Sequence, residues 1–119
     1  MVLFQLHFNM IIKNELLNII KNYCRSNSEK EVCGFIVESK QGIEFLPINN
    51  KHPDNINYFI IDPKDYLEIK KNYTIKYLVH SHLKNDFFSK LDIFYQKYHN
   101  IDMLLYILDK DEFKEMKCK

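Results

Sequence analysis

Leu78-Val79-His80-Ser81-His82, followed by Ser89-Lys90-Leu91-Asp92, is the stretch on which the reading of this chain turns. Leu78-Val79 and the alternating residues before them have the pattern of a buried strand, and in a strand the side chains at i and i+2 emerge on one face. His80 and His82 can therefore point at a single ion. Asp92, beyond a loop, can be folded back toward the two imidazoles. Two neutral imidazoles and a carboxylate make a three-ligand zinc site that keeps its fourth position for water, the arrangement of catalytic rather than structural zinc. Such chemistry needs a base, and Glu31 in Glu31-Val32-Cys33-Gly34 stands at the lip of a second apolar strand.

Working outward, 119 residues with 46% apolar content are enough for one domain, residues 1–119, with a single core. Seventeen basic against sixteen acidic residues leave a net charge of +1. No basic stretch is interleaved with aromatics, so nucleic acid is not an expected partner. Cys24, Cys33 and Cys118 form no Cys-x-x-Cys pair and no even framework, which points to a reducing, cytoplasmic compartment. No apolar run approaches the roughly 18 residues of a membrane span and no basic leader is visible, so the chain reads as soluble and unprocessed, without a membrane partner.

Residues 2–8 alternate like a strand, with Val2, Phe4, Leu6 and Phe8 on one side, and Asn9 can cap a helix. From Met10 to about Arg25, Ile12, Leu16, Ile19, Ile20 and Tyr23 recur at helical spacing. Val32 to Val37 reads as a buried strand, Gly42 as a hairpin turn, and Ile43 to Ile48 as the returning strand, with Pro47 favouring an edge. After the polar loop Asn49 to Asn57, Tyr58 to Ile61 reads as another short strand. Asp62-Pro63-Lys64-Asp65 has the signature of a helix start, and the helix to about Asn72 should bury Tyr66, Leu67 and Ile69. Ile75 to His80 is the histidine strand. A third helix opens at Ser89 and runs to about His99, with Leu91, Phe94, Tyr95 and Tyr98 as its candidate buried face. Met103 to Leu108 is a central strand, and the charged tail from Asp109 adds an edge strand or frays. Alternating strands and helices argue for an α/β fold, a mixed β-sheet flanked by helices.

Each of these residues also has a plainer explanation. His-x-His is common without a metal. Ser89-x-x-Asp92 is a capping-box-like start that satisfies free backbone N–H groups by itself. Glu31 beside Lys30 could be a solvated strand-end charge. His7, His52 and His99 have no second ligand at useful spacing, and His99 at a helix C-terminus suits a cation against the dipole. Cys33 packs as a small apolar residue. It is the conjunction that is informative.

Glu31-Val32-Cys33-Gly34, then His80-Ser81-His82, then Ser89-x-x-Asp92 together resemble the signature of the JAMM metalloproteases, the zinc-binding branch of the MPN-domain family. Asn57-Tyr58-Phe59-Ile60-Ile61-Asp62-Pro63-Lys64-Asp65-Tyr66 is similar to the segment before the histidine strand in small prokaryotic and phage-tail members. The resemblance runs in order from about Met10 to Leu108. Leu83 stands where the family commonly has proline, and six rather than seven residues separate His82 from Ser89, which leaves Asp86 as a substitute ligand for Asp92. The resemblance implies an α-β-α sandwich of the cytidine-deaminase-like kind. It implies Zn2+ on His80, His82 and Asp92, Glu31 as general base and later proton donor, and Ser89 hydrogen-bonding the developing oxyanion.

The activity so implied is hydrolysis of an amide bond by a zinc-dependent peptidase or isopeptidase. Its substrate would be a protein or peptide: a small ubiquitin-like tag, a peptide tail, or a cell-wall or tail-assembly component. The alternative is a catalytically inactive MPN-type binding or assembly module. A zinc deaminase would also need Pro-Cys-x-x-Cys, which the chain lacks.

Overall fold

Side-chain alternation along neighbouring strands gives this protein a sheet with two apolar faces. The computed structural model describes residues 14–118, so the expected first strand at residues 2–8, the cap at Asn9 and the first positions of the first helix lie outside the described residues. In chain order the elements are α1 (Asn14–Ser26), β1 (Cys33–Ser39), β2 (Gly42–Ile48), α2 (Pro63–Asn72), β3 (Thr74–His82), α3 (Lys90–His99), β4 (Asp102–Ile107) and β5 (Glu112–Met116). The strands form one mixed sheet in the order β2-β1-β3-β4-β5. All neighbours are antiparallel except β3 and β4, whose parallel pairing requires the crossover that α3 supplies.

On one face Val32, Ile36, Tyr77, Val79, Leu104 and Tyr106 pack with Leu16, Leu17, Ile20 and Cys24 of α1. On the other, Cys33, Phe35, Val37, Leu78 and Met103 pack with Ile69 of α2 and with Phe59 and Ile61 of the preceding loop, and Tyr95 of α3 lies against them. This is the expected α/β architecture with helices on both faces. The helix starts were legible from their caps. Asp62 Oδ1 accepts the Lys64 N–H at 2.9 Å ahead of Pro63, and α3 ends at Asn100 in the left-handed region, φ 53°.

Three expectations are corrected. Tyr58 to Ile61 is extended but is not a strand: the Ile60 N–H and Tyr58 carbonyl are engaged by the Asn50 side chain rather than by a neighbouring strand. Of the face expected to be buried in α3, Leu91, Phe94 (62%) and Tyr98 (74%) are exposed, as is Ile93, whereas Asp92 and Gln96 are buried. That helix turns a polar edge inward because Gln96 Nε2 donates to the Met116 carbonyl at 2.7 Å and Asp92 reaches the histidines. Ile19 and Leu67 are likewise exposed; the buried face of α1 is Leu16, Leu17, Ile20 and Cys24, and that of α2 is Ile69 with half-buried Tyr66. Of the two outcomes expected for the tail, the edge strand is the one observed: β5 pairs with β4 from Met103–Met116 to Ile107–Glu112.

Candidate metal centre

The register of β1 against β3 explains how residues far apart in sequence meet. Cys33 lies opposite His80. Two steps back along one antiparallel chain and two forward along the other bring Glu31 opposite His82. Glu31, Cys33, Leu78, His80 and His82 then share one face by the period of two. Ser81 falls on the other face, where its Oγ accepts the Val32 N–H at 2.8 Å while its own N–H donates to the Val32 carbonyl at 3.0 Å. These two bonds fasten the end of β3 to the lead-in of β1, and so set Glu31 beside His82.

Asp92 arrives from the first turn of α3. The capping box is real: Asp92 N–H donates to Ser89 Oγ at 3.0 Å, and Ser89 N–H donates to Asp92 Oδ2 at 2.8 Å. The same Oδ2 lies 3.1 Å from His80 Nε2 and 3.6 Å from His82 Nε2. Capping and convergence on the imidazoles are therefore both true of one carboxylate. Despite the shortened loop it is Asp92 that meets the histidines; Asp86 is half-buried and ion-paired with Lys110.

The electrostatics of the cluster favour a cation. His80 is fully buried, and neither of its ring nitrogens makes a hydrogen bond among the described residues; the approach to Asp92 is close but not aligned as one. Burial holds its pKa below the ordinary value against the pull of Asp92, so the ring is neutral. His82 Nδ1 lies 3.3 Å from the Asn85 carbonyl. A carbonyl can only accept, so this contact assigns the ring proton to Nδ1 and leaves Nε2 its lone pair. Burial opposes charge on Asp92, but the two imidazoles and the Ser89 N–H hold its carboxyl well below the usual range. One ligand atom from each residue lies within 4.8 Å of the others. The separations of 3.1 and 3.6 Å bracket the edge of about 3.4 Å expected for a tetrahedron with bonds near 2.1 Å. Electron-rich atoms this close, with an orphaned buried imidazole among them, fit a divalent metal ion.

Glu31 is only 8% exposed, not a solvated strand-end charge, and its carboxylate is 4.0 Å from His82 Nε2. Glu31 falls outside the group of ligand atoms that lie within 4.8 Å of one another, and a water can bridge its carboxylate to that group. It borders a cleft of about 50 Å³, with Ser89, His82 and Asp92 on the same wall and no Lys or Arg in the lining. The volume accommodates water beside an ion. A larger groove of about 690 Å³ lies between the β1–β2 turn and the start of β3, the opposite end of the strands from His82, and holds no ligand set.

Burial, and after it the Asp92 and Asp54 carboxylates, push Glu31 from 4.5 up to about 9 in the metal-free protein. The folded chain then holds a proton that the unfolded chain gives up above its own pKa. The stability so contributed is full below 4.5 and is lost as pH rises through about 9. In chelator, the melting-temperature difference between wild type and Glu31→Gln should therefore change steadily across about pH 5 to 9 in the direction of a weakening wild type. A pH-independent difference would contradict the burial argument.

Of two further residues at the site, one has no marker in the sequence and the other only a weak one. Asn50 is buried under the loop, and the Phe59 ring lies over His80 with centroids 4.8 Å apart. An asparagine in a polar loop looks like any other turn residue; Phe59 is at least visible as the inward member of an alternating segment. Elsewhere, Cys33 is buried and burial pushes its thiol up to about 12, as suits an inert packing group. His52 Nδ1 accepts the Asp54 N–H. His99 is not a C-terminal cation, because burial and Lys70 lower its pKa.

No protein-family model matches the sequence, and no curated protein matches it. Among solved structures, the chain is similar to the solution structure of protein DSY2949 from Desulfitobacterium hafniense, a structural-genomics target, with 17% identity, 88% of each chain covered and a TM-score of 0.62. That likeness is one of fold.

Proposed function

We propose that this chain is a zinc-dependent amide hydrolase, a peptidase or isopeptidase of the JAMM kind. The observation that carries the reading is the convergence of His80, His82 and Asp92 within 4.8 Å, with Glu31 a water's breadth away and a cleft beside them. His80, His82 and Asp92 would hold the ion. Bound Zn2+ supplies a Lewis acid that brings the pKa of water to about 7.

The chain's own groups do the rest. Glu31 takes the proton of the attacking water, holds it in a dry environment, and returns it to the leaving amine. Burial raises its proton affinity above that of a surface glutamate, while a dication nearby acts in the opposite direction, which tunes the group toward neutral pH. Ser89 Oγ already accepts from the Asp92 N–H, so its O–H remains to donate to the developing oxyanion. Phe59 covers His80 and keeps bulk water off that ligand. A cleft wall without Lys or Arg suits a neutral polypeptide rather than a phosphorylated compound. The substrate on this reading is a protein or peptide amide, in a ubiquitin-like tag, a peptide tail or a cell-wall or tail-assembly component.

Metal analysis of purified protein tests the assignment. About one zinc per chain is expected, removed by chelator and confirmed as an anomalous peak between His80, His82 and Asp92. His82→Ala is the informative variant because, unlike Asp92, His82 caps no helix; it should weaken zinc binding at least about 100-fold, more than loss of an outer-shell partner costs. Protein that takes up no zinc would instead be an MPN-type assembly module.

A further inference from the structure

Resting on the reading of Glu31 as the base, we propose that Asn50 is a positioning residue that sets the Glu31 carboxylate and the Phe59 ring against the metal centre. Glu31 precedes β1, and its backbone is held by the 50–60 segment. Its N–H donates to the Asn55 carbonyl at 2.7 Å, and its carbonyl accepts from Asn50 Nδ2 at 2.9 Å. The same Nδ2 donates to the Tyr58 carbonyl at 2.9 Å, and Oδ1 accepts the N–H groups of His52 and Ile60, each at 3.1 Å.

Nδ2 also approaches the Asn55 carbonyl at 3.5 Å, so one buried carboxamide spends both kinds of hydrogen-bonding capacity on backbone groups at four places in the loop and on Glu31. Phe59, which lies on His80, sits between the two residues that Asn50 grips. None of the three ligands hangs on Asn50. No isosteric side chain can replace it: aspartate keeps the two acceptor contacts but sets a carboxylate oxygen against three carbonyls, and leucine satisfies none of the five. The prediction is a residue whose loss leaves the ion in place and misplaces the base.

Cobalt(II) uptake by the intact chain provides the probe. Asn50→Ala should bind one cobalt per chain within about threefold of wild-type affinity, because its ligands are untouched. The pH midpoint of its visible d–d spectrum should shift, as should that of Glu31→Gln. The double variant should shift no further than Glu31→Gln alone, since both changes act through one carboxylate. Leu17→Val, in α1 and in the core on the opposite face of the sheet, serves as the control for lost stability and should leave the midpoint unchanged. If Asn50→Ala does not fold, Asn50→Ser, neutral and small enough for the buried place, carries the same comparison. Additive shifts, or an unshifted Asn50 variant, overturn the positioning role while the metal centre stands. Wild-type protein that binds no cobalt overturns the metal reading, and the proposal with it.

Discussion

Glu31→Gln is expected to retain one zinc per chain and to lose hydrolysis by about 10³-fold, within the range that a general base contributes. The amide is isosteric with the carboxyl and can stay in the same cleft, 4.0 Å from His82 in the parent, but it cannot accept a proton from water. Because Glu31 lies outside the ligand set, metal content should not follow activity. Stability should not fall either, since the parent carboxyl is itself protonated near neutral pH in the metal-free protein. The measurement is turnover on a peptide mixture cleaved by the wild type, with zinc quantified in the same samples. Undiminished turnover would remove Glu31 from the mechanism; lost zinc would make it a ligand.

The second large effect is on folding. Gly34→Ala should destabilise the chain by about 3 kcal/mol, at the upper end of overpacking, and lower its melting temperature by roughly 10–15 °C. A methyl group there would lie 2.6 Å from the Leu46 carbonyl oxygen, 2.8 Å from Phe45 Cε1 and 2.9 Å from Pro47 Cα. Two of these three atoms are backbone of the paired strand, so only the Phe45 ring can yield. Gly42→Ala makes the contrast: its φ of +116° strains any side chain, but nothing stands within 4 Å, so about 1 kcal/mol is expected. Equal melting temperatures for the two variants would show that β2 slides away from β1 freely.

Strand periodicity makes His80 and His82 legible from the residues alone, because i and i+2 share a face whatever surrounds them. Asp92 is legible through its cap, a local motif. The direction of α3 is not. Leu91, Phe94 and Tyr98 have the spacing of a buried stripe, yet the helix turns Asp92 and Gln96 inward, since the approach of Asp92 to the histidines and a hydrogen bond to the Met116 carbonyl prevail over apolar area. At Tyr58 to Ile61 the alternation is genuine, with Phe59 and Ile61 buried and Tyr58 and Ile60 exposed. Alternation reports which face is covered, not who pairs with the backbone, and there the partner is a side chain. Asn50 is illegible for the same reason: its importance lies in what folds over it.

On the proposed reading Asp92 would have two employments, and they separate the four side chains as witnesses. A descendant that abandoned the ion would still need an acceptor for the Ser89 N–H, so an acid at this place can outlive the chemistry. The imidazole of His80 has no such second duty: it is sealed from water with both nitrogens idle among the described residues, and an apolar side chain would fill its place at less cost. Across a set of related chains, drift from histidine at position 80 would mark the loss of the metal, and persistence of aspartate at position 92 would say little.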